Sequence, residues 1–166
     1  MIYTIKNKVF SLGGGSIVTD ENGNSDIRVK GKAFSIKKKK MICDANGTVL
    51  YRVKNKLCTI SKRSAYICDA RGKKIARVYT RQFRIENRFH VSECVHDITV
   101  EGRLFRTGYD VTIDGEACAK IRKLLTVSRK IDEFELDTND LERLPFLVAL
   151  VIAMDNIGDQ HDKEAE

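Results

Sequence analysis

The chain has 166 residues, of which 42% are hydrophobic, with one proline, no tryptophan and a formal net charge of +7. This length suits one domain with a sizeable core, and the composition argues against a low-complexity chain. The first residues lack the basic start and long apolar centre of a signal peptide, and no apolar run reaches the roughly 20 residues that span a bilayer. We therefore expect a cytoplasmic protein.

The charge is divided unevenly along the chain. Residues 131–166 hold two basic and eleven acidic side chains, whereas residues 1–130 hold 28 basic and 12 acidic ones. A surface as basic as that of residues 1–130 favours polyanionic partners, which are either acidic lipid headgroups or nucleic acid.

One sequence unit recurs six times from the start of the chain. Most copies have an apolar–x–apolar segment followed by basic residues, and then a short corner with two more apolar residues. Successive copies lie 24, 24, 25, 22 and 21 residues apart, measured between the residues Ile5, Val29, Val53, Val78, Val100 and Ile121. A nearly fixed period of this length indicates one supersecondary unit that is used repeatedly.

Each unit is typical of two short strands. Apolar residues alternate within the first segment, which predicts a strand with one buried face. A second strand follows each corner, and three of these end in Asp-x-x-Gly, at Asp20–Gly23, Asp44–Gly47 and Asp69–Gly72. This pattern suits a type I turn closed by a glycine at positive φ. Six units therefore predict twelve strands, of which the last is residues 131–136.

The segment Leu144–Met154 has eleven consecutive residues without a charge or a hydrogen-bonding side chain. An amphipathic surface helix would show a polar face, so this run predicts a helix that is buried on all sides. The side chains expected to anchor it in the core are Phe146, Leu147, Leu150, Val151 and Met154.

Both ends of this helix carry sequence signals. Pro145 suits the first turn, where its missing N–H costs nothing. The preceding polar residues Asn139, Asp140 and Glu142 can cap the N-terminus and complement its dipole. Gly158 is expected to end the helix.

The repeat and the helix together predict a mainly β fold, a twelve-stranded closed antiparallel β-barrel around a C-terminal hydrophobic helix. Closure removes the free edges of twelve short strands. About eight strands already fill their interior with side chains, so a twelve-stranded barrel would have a lumen that the helix can fill. We expect a single barrel domain over residues 1–157, with the helix at about 145–157. Residues 158–166 are expected to form a disordered acidic tail.

These features resemble a known family. The six units, the FSLGGG segment at residues 10–15, the Asp-x-x-Gly turns and the terminal LPFLVALVIAMDNI are similar to the LURP-one-related family. More closely, they resemble its bacterial YxjI-like members, in the tubby C-terminal-like superfamily. The resemblance covers roughly residues 1–157 and implies a twelve-stranded barrel around a central helix. That superfamily includes phosphoinositide-binding tubby domains and phospholipid scramblases, but no lipid-binding or calcium motif of theirs matches here residue by residue.

The sequence offers little support for catalysis or metal binding. Residues 13–15 are three glycines, but no Gly-Lys-Ser/Thr follows them, so a turn is favoured over a phosphate loop. His90, Cys94 and His96 have no second ligand pair to complete a four-ligand metal site. An enzyme would also need access to the lumen, which the helix is expected to fill. We therefore expect no enzyme activity, no cofactor and no metal.

The five cysteines are expected to be reduced thiols. Their number is odd, they form no CxxC pair, and the chain shows no secretion signal. Cys43 and Cys68 occupy the same position in successive units, directly before the turn aspartate, which indicates a packing position and not a nucleophile.

Basic residues recur at matching positions of the units. If Ile27 and Val29 face the helix, the residues between and after them face solvent, because side chains alternate along a strand. The predicted ligand-binding basic face comprises Arg28, Lys30, Lys32, Arg52, Lys54 and Lys56, with Lys37, Lys38, Lys39 and Lys40 as a cluster at a strand connection. Arg77 and Arg81 hold the matching positions of the fourth unit.

The basic face has two main interpretations. It could bind acidic phospholipid or phosphoinositide headgroups at a membrane surface, where each nearby cation adds about 1 kcal/mol, or another polyanion. Alternatively the cations keep a soluble scaffold or protein-interaction module in solution. Nucleic acid is a weaker candidate, because no aromatic stacking platform is interleaved with the cations. A one-sided cluster of cations would favour the lipid, and an even spread would favour the scaffold.

Overall fold

The structure, a computed structural model, is a closed antiparallel barrel of twelve strands with one C-terminal helix, which confirms the predicted fold. It describes residues 1–7, 15–31, 39–56, 64–80, 88–102, 108–124 and 133–162. The strands are β1 (Ile2–Asn7), β2 (Ser16–Thr19), β3 (Ile27–Gly31), β4 (Lys40–Asp44), β5 (Val49–Asn55), β6 (Ser64–Asp69), β7 (Lys74–Tyr79), β8 (Arg88–Ser92), β9 (Ile98–Gly102), β10 (Gly108–Ile113), β11 (Glu116–Leu124) and β12 (Glu133–Thr138). The helix is α1 (Leu144–Asp162).

Every strand pairs with its neighbours in the chain, and β1 closes the barrel against β12. Ile5 of β1 lies opposite Phe134 of β12 and Val18 of β2, so apolar side chains meet inside the barrel on both sides of the first strand. β12 ends at Thr138, two residues beyond the predicted end of the last strand. Closure satisfies the backbone groups that an open sheet would leave at its edges.

Alternation along the strands separates an apolar interior from a polar exterior. In β3, Ile27 and Val29 are 5% and 4% exposed, whereas Arg28 and Lys30 between and after them are exposed. Cross-strand partners share a face, so the register carries this division around the barrel.

The Asp-x-x-Gly segments form the predicted turns. The amide of Gly47 donates to the carbonyl of Asp44 at 3.0 Å, and the Asp44 carboxylate accepts the amide of Thr48 at 2.8 Å. Gly23, Gly47 and Gly72 have φ values of 82°, 88° and 90°. Only glycine adopts such values without steric cost, which explains its recurrence at the fourth position of each turn.

The helix is buried on all sides for two turns, as the sequence predicts. Each residue from 147 to 153 is at most 1% exposed, and Met154 is 3% exposed. Phe146 is half-buried and packs edge-to-face against Tyr51, with the ring centroids 5.9 Å apart. In the described part of the chain, no helix combines the length and the apolar character needed to cross a membrane.

The helix lies off the barrel centre. It packs mainly against β4, β5, β6 and β7, with a smaller contact to β12. On β8 and β10, Phe89 and Tyr109 pack against the core and contact each other edge-to-face, with their ring centroids 5.3 Å apart. Burial raises the pKa of Tyr109, and the nearby charge of Lys123 partly offsets this increase.

The predicted helix end at Gly158 is wrong, because the backbone stays helical through Asp162. A glycine inside a helix costs about 1 kcal/mol relative to alanine, which the buried turns before it outweigh. Residues 163–166, the end of the predicted tail, lie outside the described residues.

Asp140 closes the turn that leads into the helix. Its carboxylate accepts the backbone amide of Arg143 at 3.0 Å and the guanidinium of the same residue at 2.8 Å. The hydrogen bond from the Arg143 amide, supported by that from its guanidinium, holds the pKa of Asp140 below its usual range.

We expect Asp140→Ala to lower the free energy of unfolding by about 1 kcal/mol at neutral pH. Because the folded-state pKa is lower than the unfolded value of about 4, this stabilisation is present above the unfolded pKa and is lost as the pH falls through the folded pKa. Urea unfolding at a series of pH values should show the difference from the parent shrinking in acid. Asp140→Asn, which caps without ionising, is the control; a difference for Asp140→Ala that stays constant into acid would contradict this prediction.

Candidate polyanion-binding surface

The outer faces of β3, β5 and β7 carry a group of cations that we call the basic wall. Its members in the described part of the chain are Arg28, Lys30, Arg52, Lys54, Lys56, Lys74 and Arg77. All but Lys56, which directly follows β5, are strand residues, so the sheet hydrogen bonds fix their backbones.

The strand register arranges the wall in two rows across the barrel. In the first row, Met41 of β4 separates Lys30 from Arg52. In the second row, Tyr66 of β6 separates Lys54 from Arg77. Neighbouring strands lie about 4.8 Å apart, so cations two strands apart are spaced by about 10 Å. The result is a regular grid of positive charge.

Tyr66 forms the apolar floor of the second row. It points outward, yet it is only 8% exposed, because neighbouring side chains, including that of Lys74, cover it. The ammonium of Lys74 lies 4.2 Å from the centre of its ring, in the geometry of a cation–π contact.

Few of these cations are neutralised within the barrel. Among the described residues, no carboxylate lies within ion-pair distance of Arg28, Lys30, Lys54 or Lys56. Among the described carboxylates, only that of Glu93 lies within ion-pair distance of Arg77, and its distance of 3.9 Å is long. Arg52 is held by a hydrogen bond from its Nε to the carbonyl of Ala70 at 3.0 Å, which leaves its charge uncompensated.

The remaining strands have a different charge pattern. On β8–β12 and β1, cations lie beside carboxylates of the neighbouring strand: Arg88 with Glu101 at 3.0 Å, Lys6 with Glu133 at 3.6 Å, and Arg122 with Glu135. The cations of the described residues are therefore not spread evenly. Positive charge without a carboxylate partner concentrates on the side of β3–β7, which is also the side against which the helix packs.

The run of four lysines is divided by the fold. Lys39 is exposed, but Lys40 begins β4 and points toward the helix, where its ammonium lies 3.3 Å from the carboxylate of Asp155. The side chains of Lys40 and Asp155 are only 11% and 2% exposed. The prediction that Lys40 belongs to an exposed cluster is therefore wrong. Its side chain lies inside the barrel, where it pairs with a carboxylate on the helix. Lys32, Lys37, Lys38 and Arg81 lie outside the described residues.

The sequence held two signals that the prediction did not use. Lys74 follows the Asp69–Gly72 turn and belongs to the wall, although it precedes the repeated basic positions. Asp155 and Asn156 directly follow the apolar run of the helix and are 4% and 0% exposed. A charge buried at the end of such a run requires a partner, and the ammonium of Lys40 lies within ion-pair distance of it.

The comparisons with known proteins agree with this architecture. The family model described as LURP-one-related matches residues 1–155. The chain belongs to the LURP-one-related family. The X-ray structure of a protein from Arabidopsis thaliana is similar, with a TM-score of 0.51 and 16% identity, covering 93% of this chain and 91% of that one. At this identity the likeness concerns the fold alone. A comparison with curated proteins found no match.

The residues considered for metal binding have other roles in this LURP-one-related barrel. His90 stacks on Tyr79 with the ring centres 5.2 Å apart. His96 Nδ1 lies 2.7 Å from the Asp114 carboxylate, and this contact together with the amide of Asp97 lowers the pKa of Asp114. Within the described ranges, no group of three or more potential ligands could hold a metal ion.

The cysteines of the described ranges are free thiols. Cys43 and Cys68 are buried, and Cys94 and Cys118 are partly buried. The matching burial of Cys43 and Cys68 agrees with the packing role that their repeat position predicts. Cys58 lies outside the described residues, as do Gly13 and Gly14.

The helix does not fill the barrel at the end where it begins. Two cavities flank its first turn, with volumes of about 390 Å³ and 470 Å³. The first lies beside Leu144 and Pro145, and the second lies beside Phe146 and Tyr51. The expectation that the helix closes the lumen therefore does not hold for this end.

Proposed function

We propose that this LURP-one-related barrel is a non-catalytic module that binds the headgroups of acidic phospholipids at a membrane surface through its basic wall. The observation that carries the proposal is the one-sided distribution of cations without carboxylate partners on β3–β7. The same face would serve another polyanion, but an array of cations spread over several strands fits an extended anionic surface best.

The physical basis is electrostatic attraction to a negatively charged leaflet. Each Lys or Arg near an anionic membrane contributes about 1 kcal/mol, and the attraction falls off within a Debye length of about 8 Å at physiological salt. A single cation would therefore bind weakly, whereas several on one face act together. The helix packs against β5 and β7, and sheet hydrogen bonds hold all three wall strands, so little backbone conformational entropy is lost when the wall meets the surface.

Two alternatives fit the wall less well. A single-stranded nucleic acid would be bound by stacking its bases on aromatic rings, but the ring of Tyr66 inside the wall is covered. A scaffold that uses its cations only for solubility has no reason to concentrate them on one side. The scaffold remains the competing proposal, and the vesicle experiment discriminates between the two.

The test is co-sedimentation with vesicles of neutral phosphatidylcholine, alone or mixed with phosphatidylserine or a phosphoinositide, across a salt series. We expect binding that requires the acidic lipid and weakens as salt rises. A wall variant replaces Arg28, Lys30, Lys54 and Lys56 with glutamine. At about 1 kcal/mol per charge, it should lose on the order of 100-fold or more in affinity.

A matched control removes the same number of charges from the other side of the barrel. It replaces Lys6, Arg88, Lys120 and Arg122, all exposed, with glutamine. The fold-loss of vesicle affinity in the control should be less than a tenth of the fold-loss in the wall variant. Equal losses would mean that only net charge matters, and no binding to any vesicle at low salt would leave the scaffold as the function.

A further inference from the structure

The end of the barrel that holds the hairpin turns and the start of the helix contains a cavity of about 390 Å³. We call it the turn-end cavity. Its floor is apolar and includes Val18, Ile27, Leu50 and Leu144. The volume is within the roughly 300–1,000 Å³ of typical ligand pockets and suffices for one large side chain.

The edge of the turn-end cavity is acidic. Asp20, Asp26 and Asp44 line it, and the described residues that line it include no Lys or Arg. The N-terminal ammonium of Met1, which also lines the cavity, lies 3.6 Å from the carboxylate of Asp137. The three lining carboxylates come from the β2–β3 and β4–β5 connections, so two turns of the repeat deliver them to one place.

Hydrogen bonds hold two of these carboxylates in position. Asp20 accepts the amides of Asn22 and Asn24 at 2.9 Å and 2.7 Å, and the bonds from Asn24, chiefly its side-chain amide, lower the pKa of Asp20. Asp44 is held by the amide of Thr48. Burial, followed by the negative charges of Asp20, Asp26 and Glu21, raises the pKa of Tyr3 on the cavity wall. A negative potential therefore extends into the cavity.

The lip of the cavity is apolar and exposed. Leu141, in the turn before the helix, is 56% exposed and lines the cavity. A leucine left in water beside an apolar floor gains free energy when another apolar group covers it. The floor and the lip together favour an apolar group in the cavity, and the carboxylates favour positive charge beside that group.

We propose that the turn-end cavity docks a basic segment of a partner protein, with one aliphatic side chain in the cavity and its flanking Lys or Arg side chains against Asp20, Asp26 and Asp44. Charge complementarity selects this occupant. The site is separate from the basic wall, and its carboxylates are repelled by an anionic membrane. Docking therefore does not depend on lipid binding, and either function can fail without the other.

The test is a titration of the ¹⁵N-labelled full chain with a synthetic peptide that has one leucine between two arginines on each side. We expect the amide signals of residues 20–27, 44–50 and 141–144 to shift. A peptide with serine in place of the leucine, and one with glutamates in place of the arginines, should each bind at least fivefold more weakly. No shift in these residues, or equal binding of the serine peptide, would overturn the proposal.

Matched variants locate the site. Asp26→Asn with Asp44→Asn removes two charges from the cavity, and we expect at least a fivefold loss of peptide affinity. Asp69→Asn with Asp97→Asn removes two charges from the same end of the barrel but outside the cavity, and Asp69 is the repeat equivalent of Asp44. This control should change affinity less than twofold, and an equal loss in both variants would overturn the assignment.

Two further measurements cover other outcomes. Thermal unfolding should be nearly unchanged in both variants, because asparagine still accepts the turn hydrogen bonds; a cavity variant that unfolds is replaced by Asp26→Asn alone. Sedimentation of the free protein tests a second copy of this chain as the occupant. Self-association that the cavity variant abolishes and the control does not would overturn the proposed partner in favour of that copy.

Discussion

We expect Leu150→Asp to prevent folding. Leu150 is fully buried at the centre of the helix, with buried residues on every side of it along the chain. The substitution removes a core side chain, which alone costs about 2–5 kcal/mol, and adds a carboxylate without a partner. Because domains of this size are stable by about 5–15 kcal/mol in total, the combined loss exceeds what the fold can tolerate. Circular dichroism should show loss of the cooperative thermal transition.

The same substitution at Leu141 is the control. Leu141 lies only nine positions earlier but is 56% exposed, so an aspartate there stays in water. We expect Leu141→Asp to change the free energy of unfolding by less than about 0.5 kcal/mol. If Leu150→Asp were soluble with an unchanged melting temperature, the helix could not be the buried centre of the barrel.

Breaking the ion pair between Lys40 and Asp155 has the second largest expected effect. The two groups lie 3.3 Å apart and are 11% and 2% exposed, so removing one takes a close opposite charge away from a poorly hydrated group. We expect Asp155→Leu and Lys40→Met each to lower the free energy of unfolding by about 3–5 kcal/mol. Urea unfolding of the purified variants measures this change.

The double variant separates the pair from the packing around it. Replacing both charges with apolar side chains removes the desolvation cost as well as the attraction, and such replacements are often neutral. The double variant should therefore be more stable than either single variant. If the two single losses simply add, the groups are not coupled, and the ion pair contributes nothing to the position of the helix.

The ion pair also shows why the sequence alone could not predict which lysines are exposed. Lys39 and Lys40 are neighbours in one lysine run and were predicted to act as one cluster. Their side chains take opposite roles, because alternation along a strand sends successive residues to opposite faces. The carboxylate of Asp155, which pairs with Lys40, is 115 positions away in the chain. The depth of the helix inside the barrel determines where that carboxylate lies.

Local chemistry explains what the sequence determined on its own. The period of about 24 residues, the alternation around Val29 and Val53, and the Asp-x-x-Gly turns depend on neighbouring residues, so they were sufficient to predict twelve strands. The apolar run from Leu144 has no polar face, so it had to be buried, and a barrel of twelve strands has a lumen that can bury it.

The tertiary structure decided the features that depend on distant residues. Barrel closure and register gather Arg28, Lys54 and Arg77 on one side, whereas the repeat alone would allow an even distribution. The helix continues past Gly158 because its buried turns outweigh a local signal. The turn-end cavity exists because the off-centre helix leaves space beside Leu144. Interactions between neighbouring residues determined the elements of this protein, and long-range packing and register determined which charges lie together, because those distances depend on the whole closed barrel.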